Sequence, residues 1–577
     1  MFKLYKKYLN KYKVKTILGP CFKFLEVVFE LLVPLVISDM INNGLNGTFS
    51  SESEQIKYIL LRGGLLILFA IVGLSSTLVC QFFASRVSQG VGTDIRDDLF
   101  AHINTLSFKE IDEFSTSSLL TRLNSDINNI QSSVAMLIRL VIRAPFLILG
   151  ATILSFMKNI TAGFIFLTAG ILLFVVIILL MFIQVKKNKI AQNKLDTLTN
   201  VTKENISGNR VVRAFNRQKY EFERFCDEAI SLRDIQIKIG KINAFLNPCV
   251  FVITNIAIIL VLYVTGLNYQ TSTLKSGDIT ALYNYLLQIQ LAVMVVANLV
   301  VVFTKAKASA TRINEVFDTK PSIKDGEYNC GLNDIPFELK GVSFKYSPEA
   351  LNALTNVNIT ITKGMTLGVI GGTGSGKTTL SNVLNRFYDI TEGSILVYGR
   401  DIKDYKLEFI RSNISQVFQK AVLFTGTIRD NIKLTNKDLT DEEIINYLKI
   451  AQAYEFVSKT NDGLDEVLYQ GGKNLSGGQK QRLSIARALA KNSNVLILDD
   501  SKSALDFKTS AELTKALKTV NKTIIEISQR ASDMIHCDLV LVLDKGNVAG
   551  IGTHEELLNN CLVYQEICKS QNVGGNN

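Results

Sequence analysis

The sequence is poor in the residues that bind transition metals or build disulfide frameworks. Its 577 residues include only three histidines, and its eight cysteines are scattered without a Cys-x-x-Cys pair. Zinc sites, disulfide frameworks and histidine-rich metal chemistry are therefore disfavoured, and we expect ordinary buried or membrane thiols. No small-residue cleavage site follows the first apolar run, so we expect no removable signal peptide.

Apolar residues are unevenly spread along a chain that is too long for one ordinary domain. Long apolar runs crowd into the first half, while the second half reads as a mixed soluble domain. We therefore predict a membrane domain over residues 1–318 and a cytosolic domain over residues 319–577. Much of the net charge of +11 lies close to the apolar runs. It indicates positive-inside topology rather than nucleic-acid binding.

Six segments are long enough to cross about 30 Å of hydrocarbon. They cover residues 16–41, 58–85, 134–157, 160–183, 244–267 and 278–303. Connections after the first, third and fifth spans are short and polar: 42–57, 158–159 and 268–277. The other two connections are long, charged and compatible with helices that reach tens of ångströms beyond the bilayer. Their basic residues, with those of the N-terminus, place both termini in the cytosol.

Ionisable residues lie inside the predicted spans, and two pairs of them share a helix face. Glu26 and Glu30 are four residues apart on the first span, and Arg139 and Arg143 are four apart on the third. Charges are costly in lipid, so we expect these residues to face the bundle interior or a wet cavity. Contact with polar or cationic cargo is one interpretation. Structural pairing, or snorkelling near the end of a span, is the other.

The stretch from Gly371 to Thr378 fits the P-loop pattern G-x-x-x-x-G-K-[ST]. An apolar, strand-like run precedes it, and a helix-compatible run begins at Lys377. Glycines let backbone N–H groups curl around phosphate oxygens, and the helix N-terminus favours negative charge. We therefore predict nucleoside triphosphate binding, with Lys377 on the β- and γ-phosphates and the Thr378 hydroxyl on Mg²⁺.

After residues 320–322 the pattern changes to alternating strands and helices, which is typical of an α/β domain. The apolar strand 495–499 ends in Asp499, the usual position beside a P-loop for a residue oriented towards Mg²⁺. The run Leu475-Ser476-Gly477-Gly478-Gln479 opens a helix-compatible segment. Its backbone N–H groups could form a second anion site.

These motifs resemble those of the ATP-binding cassette superfamily, in which LSGGQ follows the P-loop at about this distance. With the six predicted spans, essentially the whole chain resembles an exporter-type half-transporter. The implied fold is an all-α six-span transmembrane bundle followed by an α/β P-loop NTPase domain. Segment 204–215 resembles the exporter's second cytoplasmic loop and ends near its coupling helix, and segment 114–123 resembles the region after the first cytoplasmic loop.

The resemblance implies roles for the matching positions. Tyr346 would stack on adenine, Gln419 would reach Mg²⁺ and sense the membrane helices, and Asp499 would orient Mg²⁺. Ser476–Gly478 would contact ATP held by another chain, because this family sandwiches ATP between two head-to-tail domains. A dimer is therefore expected. The implied nucleotide-binding set is Tyr346, Gly371, Gly372, Thr373, Gly374, Ser375, Gly376, Lys377, Thr378, Thr379, Ser476, Gly477, Gly478 and Gln479, with Thr378, Gln419 and Asp499 as the Mg²⁺ set.

Two positions depart from the family's pattern. Asp500 replaces the general-base glutamate, and losing one methylene shortens its reach by about 1.5 Å, which can cost about a hundredfold in rate. Gln529 replaces the switch histidine, keeping a hydrogen-bond donor but losing the imidazole's titration. Together with Gln419, Asp500 and Gln529 are the predicted catalytic positions. We call Asp500 and Gln529 degenerate because each replaces the residue that the family uses there. Since the P-loop and LSGGQ are intact, we expect a poorly hydrolysing subunit paired with a half-transporter that has the glutamate and histidine.

Three functions stay open at this point. Export of amphipathic small molecules, as in multidrug exporters, is favoured because no peptidase domain precedes the spans and the outer loops are short. Export of a specific lipid or peptide comes second. A regulatory, ATP-binding membrane subunit that does not transport comes third. The absence of large outer domains and organelle-type extensions predicts a bacterial plasma membrane.

Overall fold

The protein is described here by a computed structural model that covers residues 1–47, 49, 51–267 and 275–572. It divides into two compact units. The N-terminal unit contains Met1–Asn104 and Ser115–Thr319, and the C-terminal unit contains Thr105–Phe114 and Lys320–Asn577. The ten residues from Thr105 to Phe114, which the sequence groups with the membrane domain, therefore associate with the C-terminal unit.

The N-terminal unit is built from α-helices, several of them very long. In chain order the helices up to residue 318 are α1 (Phe2–Leu9), α2 (Lys13–Asp39), α3 (Glu52–Thr105), α4 (Phe108–Phe114), α5 (Thr116–Thr121), α6 (Ile127–Arg139), α7 (Arg143–Lys158), α8 (Ile160–Ser207), α9 (Asn209–Ala214), α10 (Gln218–Leu267) and α11 (Ser276–Asp318). With 54 residues, α3 is about 80 Å long at 1.5 Å per residue. The helices therefore continue through the long charged connections, and the short helix α9 lies where the sequence resembles a coupling region.

Within the described residues, four helical stretches are long and apolar enough to cross a membrane: Glu52–Thr105, Thr116–Lys158, Ile160–Ser207 and Ser276–Asp318. A shorter apolar segment, Pro248–Val264, lies inside α10. The predicted first span falls on α2, which is not one of these four stretches because it contains several charged residues. A count of six spans therefore stays a prediction. Residues 268–274, in the predicted connection after the fifth span, lie outside the described residues.

The predicted third span contains a break that its apolar pattern does not reveal. The helix α6 ends at Arg139 and α7 begins at Arg143, with a turn over residues 140–142. Pro145 has no backbone N–H to donate to the carbonyl of Val141, and proline disfavours helical backbone in the residue before it. The proline in the first turn of α7 thus explains why the helix restarts here.

The C-terminal unit is an α/β domain around a ten-stranded mixed sheet. Its strands are β1 (Phe337–Phe344), β2 (Leu354–Ile361), β3 (Thr366–Ile370), β4 (Glu392–Val397), β5 (Arg400–Asp401), β6 (Ile414–Val417), β7 (Gly426–Thr427), β8 (Val467–Leu468), β9 (Val495–Asp499), β10 (Thr523–Ile527), β11 (Leu539–Asp544) and β12 (Asn547–Gly552). The order in the large sheet is β5-β4-β1-β2-β12-β11-β3-β10-β9-β6, and β7 pairs with β8. The predicted class, a helical membrane domain followed by an α/β P-loop domain, is confirmed.

Helices pack on this sheet and enclose its apolar strands. They are α12 (Lys377–Leu384), α13 (Leu407–Asn413), α14 (Ile428–Lys433), α15 (Asp441–Ile450), α16 (Tyr454–Val457), α17 (Gly477–Leu489), α18 (Phe507–Leu517), α19 (Ala531–Met534), α20 (His554–Asn560) and α21 (Leu562–Ser570). All five residues of β9 and all five of β10 are buried. Continuous apolar strands of this kind are typical of parallel strands covered on both faces.

The segment Thr105–Phe114 joins the C-terminal unit through one short helix, α4. The ring of Phe108 lies 4.4 Å from that of Phe387, centroid to centroid. The Tyr388 hydroxyl donates to Asp112 at 2.7 Å. One aromatic contact and one charge-assisted hydrogen bond therefore fix α4 on this unit.

One ion pair is buried inside the C-terminal unit. Lys502, 2% exposed, pairs with Glu526 of β10, 5% exposed. The Lys502 ammonium also donates to the Thr514 hydroxyl at 2.7 Å. Burial raises the pKa of Glu526, which the lysine charge partly offsets. Each buried charge is therefore compensated by the other, and removing one side chain would leave the other charge unpaired inside the protein.

We expect Lys502→Met to destabilise the C-terminal unit by about 3–5 kcal/mol, because Glu526 would stay buried without its counter-charge. The double variant Lys502→Met/Glu526→Leu should recover most of this loss, since apolar replacements of a buried pair are often tolerated. Calorimetry of the detergent-solubilised chain measures both. Lys363→Met is the control, because its pair with Asp334 is exposed. Equal destabilisation by the single and double variants would contradict the interpretation.

Candidate functional site

Four loops meet at one edge of the large sheet because four neighbouring strands, β3, β10, β9 and β6, run parallel. The carboxyl ends of parallel strands lie at the same edge of a sheet. The P-loop therefore follows β3 there, Gln529 follows β10, Asp500 follows β9 and Gln419 follows β6. A cavity of about 360 Å³ lies among these loops, and it is lined by Tyr346, Ala353, Thr373, Gly374, Ser375, Gly376, Lys377, Thr378, Thr379, Gln419, Asp499, Asp500 and Gln529.

The P-loop backbone takes a conformation that requires glycine. Gly376 has φ +102°, and a Cβ there would lie 2.5 Å from the carbonyl oxygen of Ala353. At Gly371 a Cβ would lie 2.1 Å from the carbonyl oxygen of Leu543. A side chain at either position would therefore push the loop away from its neighbours. The loop wraps directly into the first turn of α12, as an anion-binding loop requires.

Lys377 is held at the centre of the loop. Its ammonium donates to the carbonyl oxygens of Gly371 and Gly372, both at 2.7 Å, and to the Ser375 hydroxyl at 3.3 Å. The side chain is 8% exposed, and burial lowers its pKa. A partly desolvated cation beside backbone N–H groups is well suited to bind phosphate.

Thr378 and Asp499 form the part of the site that fits a divalent cation. The Thr378 hydroxyl donates to Asp499 at 3.3 Å, and the Ser381 hydroxyl lies 3.5 Å from the other carboxylate oxygen. Asp499 is 2% exposed, and its pKa is raised by burial and by the nearby Asp500. A bound Mg²⁺ would offset this cost, and hydroxyl and carboxylate oxygens are ligands that it prefers.

Such a cation would need ligands from the nucleotide and from water. Among the described residues there is no group of three or more His, Cys, Asp or Glu side chains that could hold a metal by itself. Mg²⁺ is commonly bound by one or two protein ligands together with substrate phosphates. The residues present therefore fit a magnesium–nucleotide complex better than a free metal ion.

Asp500 connects the ends of β9 and β10. Its backbone N–H donates to the Ile527 carbonyl at 2.8 Å, and its φ is +47°, a left-handed conformation that aspartate tolerates. Its carboxylate accepts a hydrogen bond from the Gln419 amide at 3.3 Å. Burial is the main cause that raises the pKa of this carboxyl. The acid at the predicted base position is thus oriented by an amide.

Gln529 lines the same cavity, and its loop is held by a residue that the sequence did not single out. The Gln571 side chain donates to the Gln529 carbonyl at 2.8 Å and accepts from the Ala531 N–H at 2.8 Å. Ser528, just before it, donates to the buried Asp533 at 2.6 Å. No short motif marks Gln571, because it reaches this loop from the end of α21, far along the chain.

Tyr346 forms one wall of the cavity. Its ring is 45% exposed and packs edge-on against Tyr388, with the ring centroids 5.3 Å apart. Its hydroxyl shares a hydrogen bond with Thr379 at 3.1 Å. An exposed aromatic face beside a phosphate-binding loop is able to stack on a nucleotide base.

The LSGGQ residues 475–479, called the signature from here on, lie elsewhere on the C-terminal unit. Ser476 is the N-cap of α17: its hydroxyl accepts from the Gln479 N–H at 3.3 Å, and the Gln479 side chain accepts from the Ser476 N–H at 2.8 Å. Ser476, Gly477, Gly478 and Gln479 do not line the P-loop cavity within the described residues. The structure therefore presents a helix N-terminus separate from the cavity of its own chain.

Comparisons with known proteins agree with this architecture. Residues 16–293 match the family described as the ABC transporter transmembrane region, and residues 354–503 match the family described as ABC transporter. Over 550 residues the chain is 32% identical to an uncharacterised ABC transporter ATP-binding protein of Bacillus subtilis, which covers 95% of this chain and 94% of the relative. The chain belongs to the ABC transporter superfamily.

One further relative and one solved structure have the same architecture. The ATP-dependent lipid A-core flippase of Desulfotalea psychrophila is 32% identical over 560 residues, covering 95% of this chain and 91% of that protein. A bacterial Atm1-family ABC exporter solved with ATP bound shares the fold, with a TM-score of 0.78, 22% identity and 99% coverage of both chains. The protein is thus an exporter-type ABC half-transporter, an integral membrane protein whose nucleotide-binding domain is an ATPase coupled to transport.

We expect Lys377→Ala to weaken ATP binding by about 10- to 150-fold, since losing one desolvated charge-assisted contact costs about 1.5–3 kcal/mol. Titration of the full-length chain with a fluorescent ATP analogue in Mg²⁺ buffer measures this affinity. The control is Lys363→Ala, which removes an exposed lysine with an unrelated partner. Unchanged affinity in the Lys377 variant would show that the nucleotide binds elsewhere.

Proposed function

We propose that this chain is the poorly hydrolysing half of a heterodimeric ABC exporter in a bacterial plasma membrane, which moves amphipathic small molecules outwards with ATP and Mg²⁺. The observation that carries this proposal is the pair Asp500 and Gln529 in one cavity with the P-loop. ABC exporters of this type use glutamate and histidine at these two positions. The chain therefore keeps what binds ATP and lacks what positions the attacking water.

The geometry at Asp500 supports this view. A general base must lie within hydrogen-bond reach of the water that it activates, and an error of about 1 Å can cost about a hundredfold in rate. The Asp500 carboxylate is one methylene shorter than glutamate and already accepts a hydrogen bond from Gln419. Gln529 can donate to a phosphate oxygen but cannot titrate near neutral pH. Because both replacements fall in one site, we expect both of them to slow hydrolysis there.

The intact signature supports the proposal that this chain pairs with a second half-transporter. Ser476 caps α17 and the two glycines after it form the first turn, and a helix N-terminus of this kind can bind phosphate. Because these residues lie outside the cavity of their own chain, the γ-phosphate that they would contact belongs to a second chain. In the proposed heterodimer this signature completes the partner's competent site, and the partner's signature closes the degenerate site over Tyr346 and the P-loop.

ATP would drive the transport cycle by differential affinity. ATP contacts the nucleotide-binding domains of both chains only when these domains are closed together, so its binding favours the closed dimer. Closure would pull on the cytoplasmic loops and turn the membrane helices from inward-facing to outward-facing, a rigid-body switch. Hydrolysis at the partner's site would reset the cycle. The degenerate site would keep the two nucleotide-binding domains partly in contact throughout the transport cycle.

A lipid exporter is the second candidate, favoured by the relatives that are named lipid A-core flippases. Transport assays in proteoliposomes separate it from small-molecule export, since a labelled lipid and a labelled soluble amphiphile can be compared in the same vesicles. A chain that moves neither, while still binding ATP, would instead be a regulatory membrane subunit.

Catalytic variants of the purified complex test the proposal. Asp500→Asn should leave its ATPase rate within about twofold, because this carboxylate contributes little, whereas Ser476→Arg should lower the rate at least about a hundredfold by blocking the competent site. The double variant Asp500→Glu/Gln529→His should raise hydrolysis by the chain alone. Brisk ATPase from a homodimer of the unaltered chain would refute the heterodimer.

A further inference from the structure

The loop that follows β10 is held by a side chain at the end of α21. Gln571 is the C-cap of that helix, and its amide bonds the loop with both of its polar atoms. The amide nitrogen donates to the Gln529 carbonyl, and the amide oxygen accepts from the Ala531 N–H, both at 2.8 Å. Since these backbone groups lie on either side of Arg530, the two bonds fix the course of residues 529–531.

The Ala531 N–H is a group that needs such a partner. Ala531 is buried, and it is the first residue of α19. The first N–H groups of a helix have no acceptor within the helix, so a side chain or water must satisfy them. A buried N–H without an acceptor is costly. Without the Gln571 amide, the loop would have to move or admit water to satisfy this group.

Other contacts hold the neighbouring parts of the loop. The Ser528 hydroxyl accepts from the Arg530 N–H at 3.0 Å. The Arg530 guanidinium donates to the Ser503 carbonyl at 3.1 Å. These bonds fix the start of the loop and its outer side chain, whereas Gln571 bonds the backbone of Gln529 itself.

The end of α21 is a firm support for this contact. Tyr564 and Cys568 of that helix are buried in one apolar cluster with Ala531 and Ile370. Ile370 is the last residue of β3, directly before the P-loop. The cluster therefore packs against the P-loop strand and the loop after β10 together, and it sets the position of Gln571 relative to both.

The placement of the Gln529 backbone matters for the outermost phosphate of a nucleotide. Gln529 lines the same cavity as the P-loop, and its amide can donate to a phosphate oxygen. Hydrogen bonds weaken outside a donor–acceptor range of about 2.7–3.2 Å, so a small shift of this backbone would remove the contact. A P-loop holds the inner phosphates through its own backbone N–H groups. A diphosphate should therefore be insensitive to such a shift.

We propose that Gln571 is a positioning residue for triphosphate recognition: it holds the loop so that the Gln529 amide reaches the γ-phosphate, and it thereby favours ATP over ADP. Gln571 does not line the cavity within the part of the chain that the structure describes, so it acts through Gln529. The inference rests on the proposed nucleotide site and on the role of Gln529 there. It needs neither the heterodimer nor the poor hydrolysis.

The test is equilibrium binding to the full-length chain in detergent with Mg²⁺, using ADP and the β,γ-imido analogue of ATP, which is not hydrolysed. Gln571→Met nearly keeps the length of the side chain and removes both hydrogen bonds. We expect it to weaken binding of the analogue about fivefold and of ADP less than about twofold, as for one weakened hydrogen bond. Calorimetry checks that the variant folds. An unchanged preference for the analogue over ADP, with or without a loss of stability, overturns the proposal.

A double-mutant cycle separates positioning from general support of the fold. Gln529→Ala should weaken binding of the analogue about tenfold, and adding Gln571→Met should weaken it less than about twofold further, because nothing is left to position. Losses that add fully in the double variant would show that Gln571 acts independently of Gln529, and would overturn the proposal. Gln565→Ala is the matched control, since this side chain of the same helix donates to the Asn559 carbonyl instead. It should leave both affinities unchanged.

The outcomes distinguish this inference from the proposed function. If Gln529→Ala leaves binding of the analogue unchanged, Gln529 does not contact the γ-phosphate, and the inference is wrong together with that part of the proposed site. If Gln529→Ala has its effect and the two losses add, only the inference is wrong. Brisk hydrolysis by the chain alone would refute the degenerate site and leave the binding results with the analogue untouched.

Discussion

The parallel pairing of β3, β10, β9 and β6 is the constraint on which the nucleotide site depends. It brings the ends of four strands, far apart in the chain, to one edge of the sheet. The burial of β9 and β10 keeps that edge fixed, and the hydrogen bond from the Asp500 N–H to the Ile527 carbonyl connects two of the loops directly. The P-loop, Asp499, Asp500, Gln419 and Gln529 are brought together by this pairing, whereas Tyr346 follows β1, outside the four parallel strands.

Asp500 and Gln529 line the cavity beside the P-loop on this scaffold, so the proposed loss of hydrolysis concerns the side chains at two positions and not the placement of the loops. Lys377 and Thr378 hold the positions that phosphate and Mg²⁺ binding require, and Asp499 is buried beside them. In the proposed heterodimer, this chain would therefore bind ATP and hydrolyse it poorly.

Many of the residues predicted to bind nucleotide line one cavity, and the sequence could anticipate this because they sit in motifs tied to strand ends. The P-loop, Asp499 and Gln529 each follow an apolar strand, so their convergence follows from the topology of an α/β sheet. Other features depend on contacts between distant segments and carry no such signal. Gln571 reaches the Gln529 loop from the end of the chain, and Arg143 meets Glu30 across two helices. The break before Arg143 could have been read from Pro145, but the apolar run around it hides the signal.

Photo-crosslinking of labelled azido-ATP to the complex of this chain with its partner, during steady turnover, tests the central claim most directly. After the two subunits are separated, the nucleotide attached to each is identified. We expect intact triphosphate on this chain, because the proposed site would bind ATP without an efficient base, and mainly diphosphate on the partner. Equal amounts of diphosphate on both subunits would contradict it.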